Sequence, residues 1–199
     1  MAEKKLKHAI YKNFNGTHVW FEEINTELQL LFRTGWTSSE KYGLVRTSYI
    51  ENLSHKDKKI AVLDGCRNIL PACCTSKFQN DNSILLDAYK KTDLETDANI
   101  VLFTVSSIVS DKAEPNEGLY ANTCWFSTPD RVILAENAPE QFIDMDRLPR
   151  FEQFATESVL KGKRASCYIC KNMELAPGKA CNWYQVFDTA RTLPQIVQL

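Results

Sequence analysis

The sequence of 199 residues lacks a long apolar run and an excess of charge of either sign. Its 24 basic and 25 acidic residues give a formal charge of −1, so no basic field is expected to attract nucleic acid or an anionic membrane. The charged first residues contain no apolar core, and no later window reaches membrane-spanning length. We therefore predict a cytoplasmic protein with no nucleic-acid or membrane partner.

Glycine and histidine are also scarce. The seven glycines are scattered, so no phosphate-cradling loop is predicted. The three histidines, His8, His18 and His55, have no cysteine or carboxylate at metal-ligand spacing, and no serine motif supplies a nucleophile to pair with them. We therefore predict no cofactor.

The seven cysteines form an odd set, which favours reduced, mostly buried thiols over a disulfide framework. Cys167 and Cys170 suggest half of a zinc site, with Cys73 and Cys74 as the second half. Zinc needs ligands that converge at about 2.3 Å. In a strand, however, residues that are adjacent or three apart point to opposite faces. The sequence therefore predicts no metal site.

The apolar residues recur mostly at every second position, which is typical of β-strands. Runs of this kind are rich in β-branched and aromatic residues, and turn residues separate them. They include "HVWFEEI", "LQLLFRT", "KIAVLD", "ILLDAYK", "IVLFTVSSI", "SCYICKNM" and "ACNWYQVFD". The pattern predicts an all-β antiparallel sandwich, with a short irregular or helical excursion near residues 138–155.

Alternation within these runs also predicts which side chains share a core face. The predicted core residues are Val101, Phe103, Val105, Cys181, Trp183 and Phe187, together with Trp20 and Trp125. Trp36 follows Gly35 at a strand end, so it is the better candidate for an exposed role, such as stacking on the C–H face of a sugar.

Five stretches occur in one order along the chain. They are "FEEINTELQLLFRTGWTSSEKYGLVRTSYIENLS", "LDGCRNILP", "LLDAYKK", "FTVSSIVSDKAEPNEGLYANTCW" and "ELAPGKACNWYQVFDTA". Together they resemble the amino-terminal region of the cellobiose phosphorylase-like glycoside hydrolases, over residues 19–188. The resemblance implies a galactose-mutarotase-like β-supersandwich at residues 19–190, preceded by an arm at 1–18. Residues 191–199 would begin a linker toward a helical barrel domain of the parent chain.

The resemblance also implies a function. In that family the catalytic acid lies in the barrel, and no series of amphipathic helices follows residue 190 here. We therefore expect a support and docking domain for a carbohydrate cleft, with no catalytic residue and with a sugar or oligosaccharide and the barrel domain as partners. A stand-alone mutarotase-like sugar enzyme and a carbohydrate-binding module remain alternatives. A sandwich without its barrel would expose an apolar patch and self-associate.

Candidate residues for contact with a sugar or a partner domain concentrate in residues 63–91. Amide and guanidinium groups suit hydroxyls, and loop acids could line a cleft. The candidates are Trp36, Asp64, Arg67, Asn68, Gln79, Asn80, Asp87 and Glu114. Structural roles compete with this interpretation, because Asp64 before Gly65 is a common turn pair. The amides of "FQNDNS" can also bond their own loop backbone, ahead of a predicted strand "ILLDAYK".

Overall fold

The computed structural model describes residues 5–72, 74–105, 121–126, 131–145, 151, 154, 157–164 and 166–198, with the backbone alone for 121–126. Within these ranges the chain is an antiparallel β-sandwich with three short helices. The predicted fold class is therefore confirmed. Cys73, Glu114 and the side chain of Trp125 lie outside the described part.

Strands dominate the order of elements. They are β1 (Leu6–Lys12), β2 (His18–Asn25), β3 (Leu30–Ser38), β4 (Leu44–Asn52), β5 (Lys58–Cys66), α1 (Ser76–Tyr89), β6 (Lys90–Glu95), β7 (Ile100–Val105), β8 (Ala121–Phe126), β9 (Arg131–Ile133), α2 (Ala138–Ile143), β10 (Val159–Lys161), β11 (Cys167–Leu175), β12 (Ala180–Arg191) and α3 (Leu193–Val197). Nine strands form one sheet in the order β1-β2-β3-β4-β12-β8-β7-β6-β10. The smaller sheet has the order β5-β11-β9.

The main core lies between the two sheets. Trp183 of β12 and Val101 and Phe103 of β7 are buried there, with Cys181 and Phe187 packed against them. Ile169 and Cys167 of β11 belong to the same core. The predicted core faces of β7 and β12 are confirmed, although Val105 is only half-buried.

The other face of the smaller sheet is also covered. Tyr168 and Cys170 of β11 pack with Phe151, Phe154 and Ala138, the first residue of α2. Because β11 contributes side chains to two cores, residues 167–170 are all buried. Within the excursion predicted near residues 138–155, helix α2 forms, and Ala138, Phe151 and Phe154 pack against this sheet.

Residues 76–89 differ from the prediction, because they form helix α1 rather than an amide-rich loop and a strand. Thr75 is the N-cap of the helix, and its hydroxyl accepts a hydrogen bond from the Phe78 amide at 3.1 Å. Ser83 has non-helical backbone angles and interrupts the helix, and Leu86 is the buried residue of α1. The apolar run "ILL" is too short for periodicity to distinguish helix from strand.

Two segments outside the predicted sandwich boundaries also have regular structure. Residues 6–12, within the predicted arm, form edge strand β1 and pair along β2. Residues 193–197, within the predicted linker, form helix α3. No helix in the described ranges is both long and apolar enough to cross a lipid bilayer.

Candidate functional site

Asp64 lies inside β5, not at the turn that Asp64-Gly65 predicts. A Cβ on Gly65 would approach the Cys167 carbonyl oxygen at 1.9 Å, so close strand packing accounts for this glycine. The Asp64 side chain is 7% exposed and faces the larger sheet. This placement removes Asp64 from any open cleft of the described residues.

Three donors from the larger sheet bind the Asp64 carboxylate. Arg46 Nη1 lies 2.6 Å from Oδ1, while Ser48 Oγ and Trp183 Nε1 each donate to Oδ2 at 2.7 Å. Gln185 adds a bond from its amide nitrogen to the Asp64 carbonyl at 3.1 Å. Satisfied in this way, the buried carboxylate ties β5 to β4 and β12.

Trp36 lies beside this network on the inner face of the larger sheet. Its ring stacks on Phe187 at a centroid distance of 5.6 Å, and the Arg46 guanidinium lies 5.8 Å from the ring centre. The structure therefore gives Trp36 packing partners on the core side of β3.

A polar pocket next to α1 brings several of the predicted residues together. Its volume is about 320 Å³, and its lining consists of Asn68, Leu70, Ser76, Gln79, Asn80, Ser83, Lys90 and Arg164. We call this cavity the α1 pocket. Seven of these eight residues are polar or charged, so the wall offers donors and acceptors suited to a hydroxyl-rich ligand.

Asp87 organises the wall of the α1 pocket. Its Oδ1 accepts from Lys90 Nζ at 2.7 Å and from Gln79 Nε2 at 3.2 Å, and its Oδ2 accepts from Arg164 Nε at 3.0 Å. Lys90 also donates to the Gln79 carbonyl oxygen. These bonds fix the direction of Gln79 and of both cations before any ligand binds.

The electrostatics of this cluster keep Asp87 ionised. Burial opposes ionisation of the carboxyl, but hydrogen bonds from Lys90 and Arg164 outweigh it, so the pKa of Asp87 lies below its usual value. The Lys90 side chain is 6% exposed, so its ammonium group is stabilised by Asp87 and Gln79 rather than by solvation. Lys90 and Arg164 therefore line the pocket as two cations that share the Asp87 carboxylate.

Backbone strain is also present at the α1 pocket. Asn68 has φ of 54° and Ser83 has φ of 28°, and both residues line the cavity. Asparagine tolerates the left-handed region, whereas serine does so rarely. Strained positions of this kind tend to occur at binding sites, so the strain supports the choice of this pocket.

Arg67 does not line the α1 pocket but bridges to α2. Its Nη2 donates to the Glu136 carbonyl at 3.0 Å and to Glu140 Oε1 at 2.5 Å. The hydrogen bond to Glu140 raises the pKa of Arg67, and the Arg67 guanidinium lowers the pKa of Glu140. Arg67 therefore holds the segment after β5 against α2.

Arg164 and Lys90 are the charged residues of the pocket lining that the sequence analysis missed, and Leu70, Ser76 and Ser83 were missed as well. Arg164 also lines a neighbouring cavity of about 510 Å³, together with Glu157, Lys163 and Gln141 among others. Its bond to Asp87 spans 77 positions of the sequence, and no local pattern indicates it. Lys90 ends the "DAYK" stretch and is the first residue of β6, three positions after Asp87.

No group of three or more His, Cys, Asp or Glu side chains is arranged to hold a metal ion in the described ranges. Cys167 and Cys170 point into different cores, as strand geometry predicts. The prediction that the protein binds no zinc remains a prediction.

Comparison with known proteins gives only remote structural similarity. No protein-family model matches the sequence, and no curated protein matches it. A heparinase III structure is similar over 96% of this chain and 22% of its own, with a TM-score of 0.41 and 7% identity. A structural-genomics protein from Synechocystis sp. PCC 6803 is similar over 92% of this chain and 65% of its own, with a TM-score of 0.43 and 10% identity. The chain thus spans less than two thirds of either protein.

Proposed function

We propose that this chain is a non-catalytic carbohydrate-binding and docking domain of a larger carbohydrate-active enzyme. The α1 pocket is the observation that carries the proposal. Asn68, Gln79, Asn80 and the paired cations present amide and N–H groups to a cavity of about 320 Å³, which is within the usual size of small-ligand sites. Hydrogen-bonding groups fixed in advance reduce the entropy that ligand binding costs.

Asp64 and Asp87, the predicted cleft acids that lie within the described residues, support a role without catalysis. Cleavage of a glycosidic bond requires a carboxylic acid with a raised pKa at the leaving oxygen. Asp64 is bound by three donors inside the sandwich, and the pKa of Asp87 is lowered rather than raised. Neither carboxyl is suited to donate a proton to a sugar oxygen.

The docking part of the proposal rests on the width of the larger sheet. The inner-face row that includes buried Trp183 and Ser48 continues outward through Thr34 to Phe21 and Ile10. Phe21 and Ile10 are 43% and 68% exposed, because the smaller sheet has too few strands to reach them. We call this pair the β1–β2 patch and propose it as the contact for a partner domain.

The α1 pocket is tested by titrating the ¹⁵N-labelled chain with a panel of aldoses and oligosaccharides, with amide shifts followed by NMR. We expect shifts to concentrate in residues 68–90 and to weaken at least about fivefold in the double variant Asn68→Gly/Asn80→Ala. Asn68→Gly keeps the left-handed backbone while removing the amide. Asn99→Gly is the matched control, since Asn99 has φ of 53° and lies outside the pocket.

Catalysis is tested separately with the same sugars, with and without phosphate, following sugar release and anomer interconversion. We expect no turnover. Hydrolysis or phosphorolysis abolished by Asp87→Ala would overturn the proposal, and anomer interconversion alone would favour a mutarotase-like enzyme. Sugar binding that leaves residues 68–90 unchanged would remove the α1 pocket from the proposal.

A further inference from the structure

The outer face of the larger sheet, opposite the smaller sheet, exposes an aromatic groove. Trp20, which the alternation pattern assigned to the core, is half-buried there. It lines a cavity of about 540 Å³ with Tyr11, Arg33, Thr47, Tyr49 and Asn182. We call these six residues the Trp20 platform. They come from β1 to β4 and β12, whereas the α1 pocket includes Lys90 of β6 near the other end of the sheet order.

The Trp20 ring lies flat on the sheet because its neighbour is glycine. Trp20 pairs with Gly35 across β2 and β3, and a Cβ on Gly35 would lie 2.6 to 2.7 Å from three atoms of the six-membered ring. Nearly equal distances to three adjacent ring atoms place that Cβ over the ring face, not at its edge. One face of the indole therefore covers Gly35, and the other face forms the floor of the groove.

Polar side chains surround the indole, and a buried carboxylate fixes two of them, Arg33 and Tyr11. The Glu22 side chain is 9% exposed, and it accepts bonds from Arg33 Nε at 2.5 Å and Tyr11 Oη at 3.2 Å. The Arg33 guanidinium lies 6.0 Å from the Tyr49 ring centre. Glu22 compensates Arg33, and Glu51 accepts a hydrogen bond from Tyr49 Oη at 2.8 Å, so the groove offers N–H and O–H groups without an excess of positive charge.

We propose that the Trp20 platform binds a pyranose ring of a neutral oligosaccharide whose hydroxyls are equatorial. Such a ring presents a flat C–H face to an aromatic plane and directs its hydroxyls sideways, toward Arg33, Thr47 and Asn182. The charge balance of the groove disfavours a phosphate or carboxylate ligand. This site is separate from the α1 pocket and does not depend on it.

The test is NMR titration of the full chain with cellohexaose, following the indole Nε1–H resonance of Trp20, assigned with Trp20→Phe. We expect this resonance to shift with ligand and Trp20→Ala to weaken binding at the platform at least about tenfold. Gly35→Ala is expected to weaken binding several-fold while keeping every platform side chain, because the added methyl group tilts the indole. Glu23→Gln, at a half-exposed side chain on the same strand but the opposite face, is expected to leave the affinity unchanged.

Several outcomes would contradict sugar binding at the Trp20 platform. One is a Trp20 indole signal that does not respond to cellohexaose at about 10 mM. Another is a decaproline peptide that shifts the signal where cellohexaose does not, since this would identify a peptide groove. If Trp20→Ala does not fold, the indole signal and Gly35→Ala decide the matter. If Asn68→Gly/Asn80→Ala loses sugar binding at the α1 pocket while the Trp20 signal still responds to cellohexaose, the result supports two separate sites.

Discussion

Asp64 shows how one side chain can connect two sheets. Arg46, Ser48 and Trp183 bind its carboxylate and contribute one positive charge. The Arg46 side chain is 11% exposed. Arg46 also bonds Thr34 at 3.0 Å and Gln185 at 2.8 Å. Because the network joins β3, β4, β5 and β12, its contribution is to the relative position of the sheets.

We expect Asp64→Asn to lower the free energy of unfolding by about 3 kcal/mol, because a neutral amide leaves the Arg46 charge buried without a counterion. Urea denaturation of wild type and variant measures the change. Asp57→Asn is the control, since Asp57 is exposed and should change stability by less than about 0.5 kcal/mol. An Asp64→Asn variant as stable as the control would contradict a structural role for Asp64.

Asp87 differs from Asp64 because its partners face a cavity. Its side chain is 15% exposed and contacts Lys90 and Arg164. The pKa of Asp87 is lowered in the folded state. Its ionised form therefore stabilises the fold above its unfolded pKa of about 3.9, and that contribution is lost as the pH falls through the lower folded pKa.

We expect Asp87→Asn to reduce the free energy of unfolding by about 2 kcal/mol at pH 7. The difference from wild type should stay constant down to about pH 5 and shrink below about pH 4. Urea denaturation at a series of pH values measures both effects. A difference between the two proteins that grows as the pH falls would show that the sign is wrong.

At the scale of one element, β11 separates two thiols. Cys167 faces the core between the sheets, and Cys170 faces the core beneath α2. A strand places residues three apart on opposite sides, and here each side is filled with apolar side chains. The two sulfurs therefore cannot converge on one ion without unpairing β11 from β5 and β9.

We expect the purified protein to contain no stoichiometric zinc, because no metal can bridge Cys167 and Cys170 across the strand. Elemental analysis after dialysis measures the metal content, and Cys170→Ala serves as the comparison. One zinc per chain that disappears in Cys170→Ala would contradict the strand geometry.

The whole molecule has sheets of unequal width, with nine strands facing three among the described elements. The β1–β2 patch therefore lies beyond the smaller sheet. β1 is also an edge strand, and edge strands with exposed apolar residues favour association between chains.

We expect the isolated chain to self-associate at high concentration through the β1–β2 patch. Ile10→Lys should reduce the association, because a charge on an edge strand opposes pairing. Sedimentation velocity over a range of concentrations measures it. Ile143→Lys is the control, because Ile143 is 78% exposed on α2, away from the patch. Equal association of the two variants would place the contact elsewhere.

The sequence by itself determined the class of fold and much of its local geometry. Alternation depends only on the pleat of the strand, so it correctly assigned Trp183, Val101 and Phe103 to one core and separated Cys167 from Cys170. The polar residue types in residues 63–91 made Asn68, Gln79 and Asn80 candidates for one site, and all three line the α1 pocket. The identity of the partners on each face does not follow from alternation, and the short run "ILLDAYK" was assigned to the wrong element for lack of periodicity.

Tertiary structure decided the rest, because burial depends on which distant segments come together. Trp20 and Trp183 both occur in alternating strands, yet only Trp183 is covered by the smaller sheet. The sequence predicts Asp64 in a turn, whereas in the structure it lies in a strand and binds Arg46 of β4 and Trp183 of β12. The α1 pocket likewise exists because Arg164 meets Asp87 across 77 positions, a distance over which no sequence period extends.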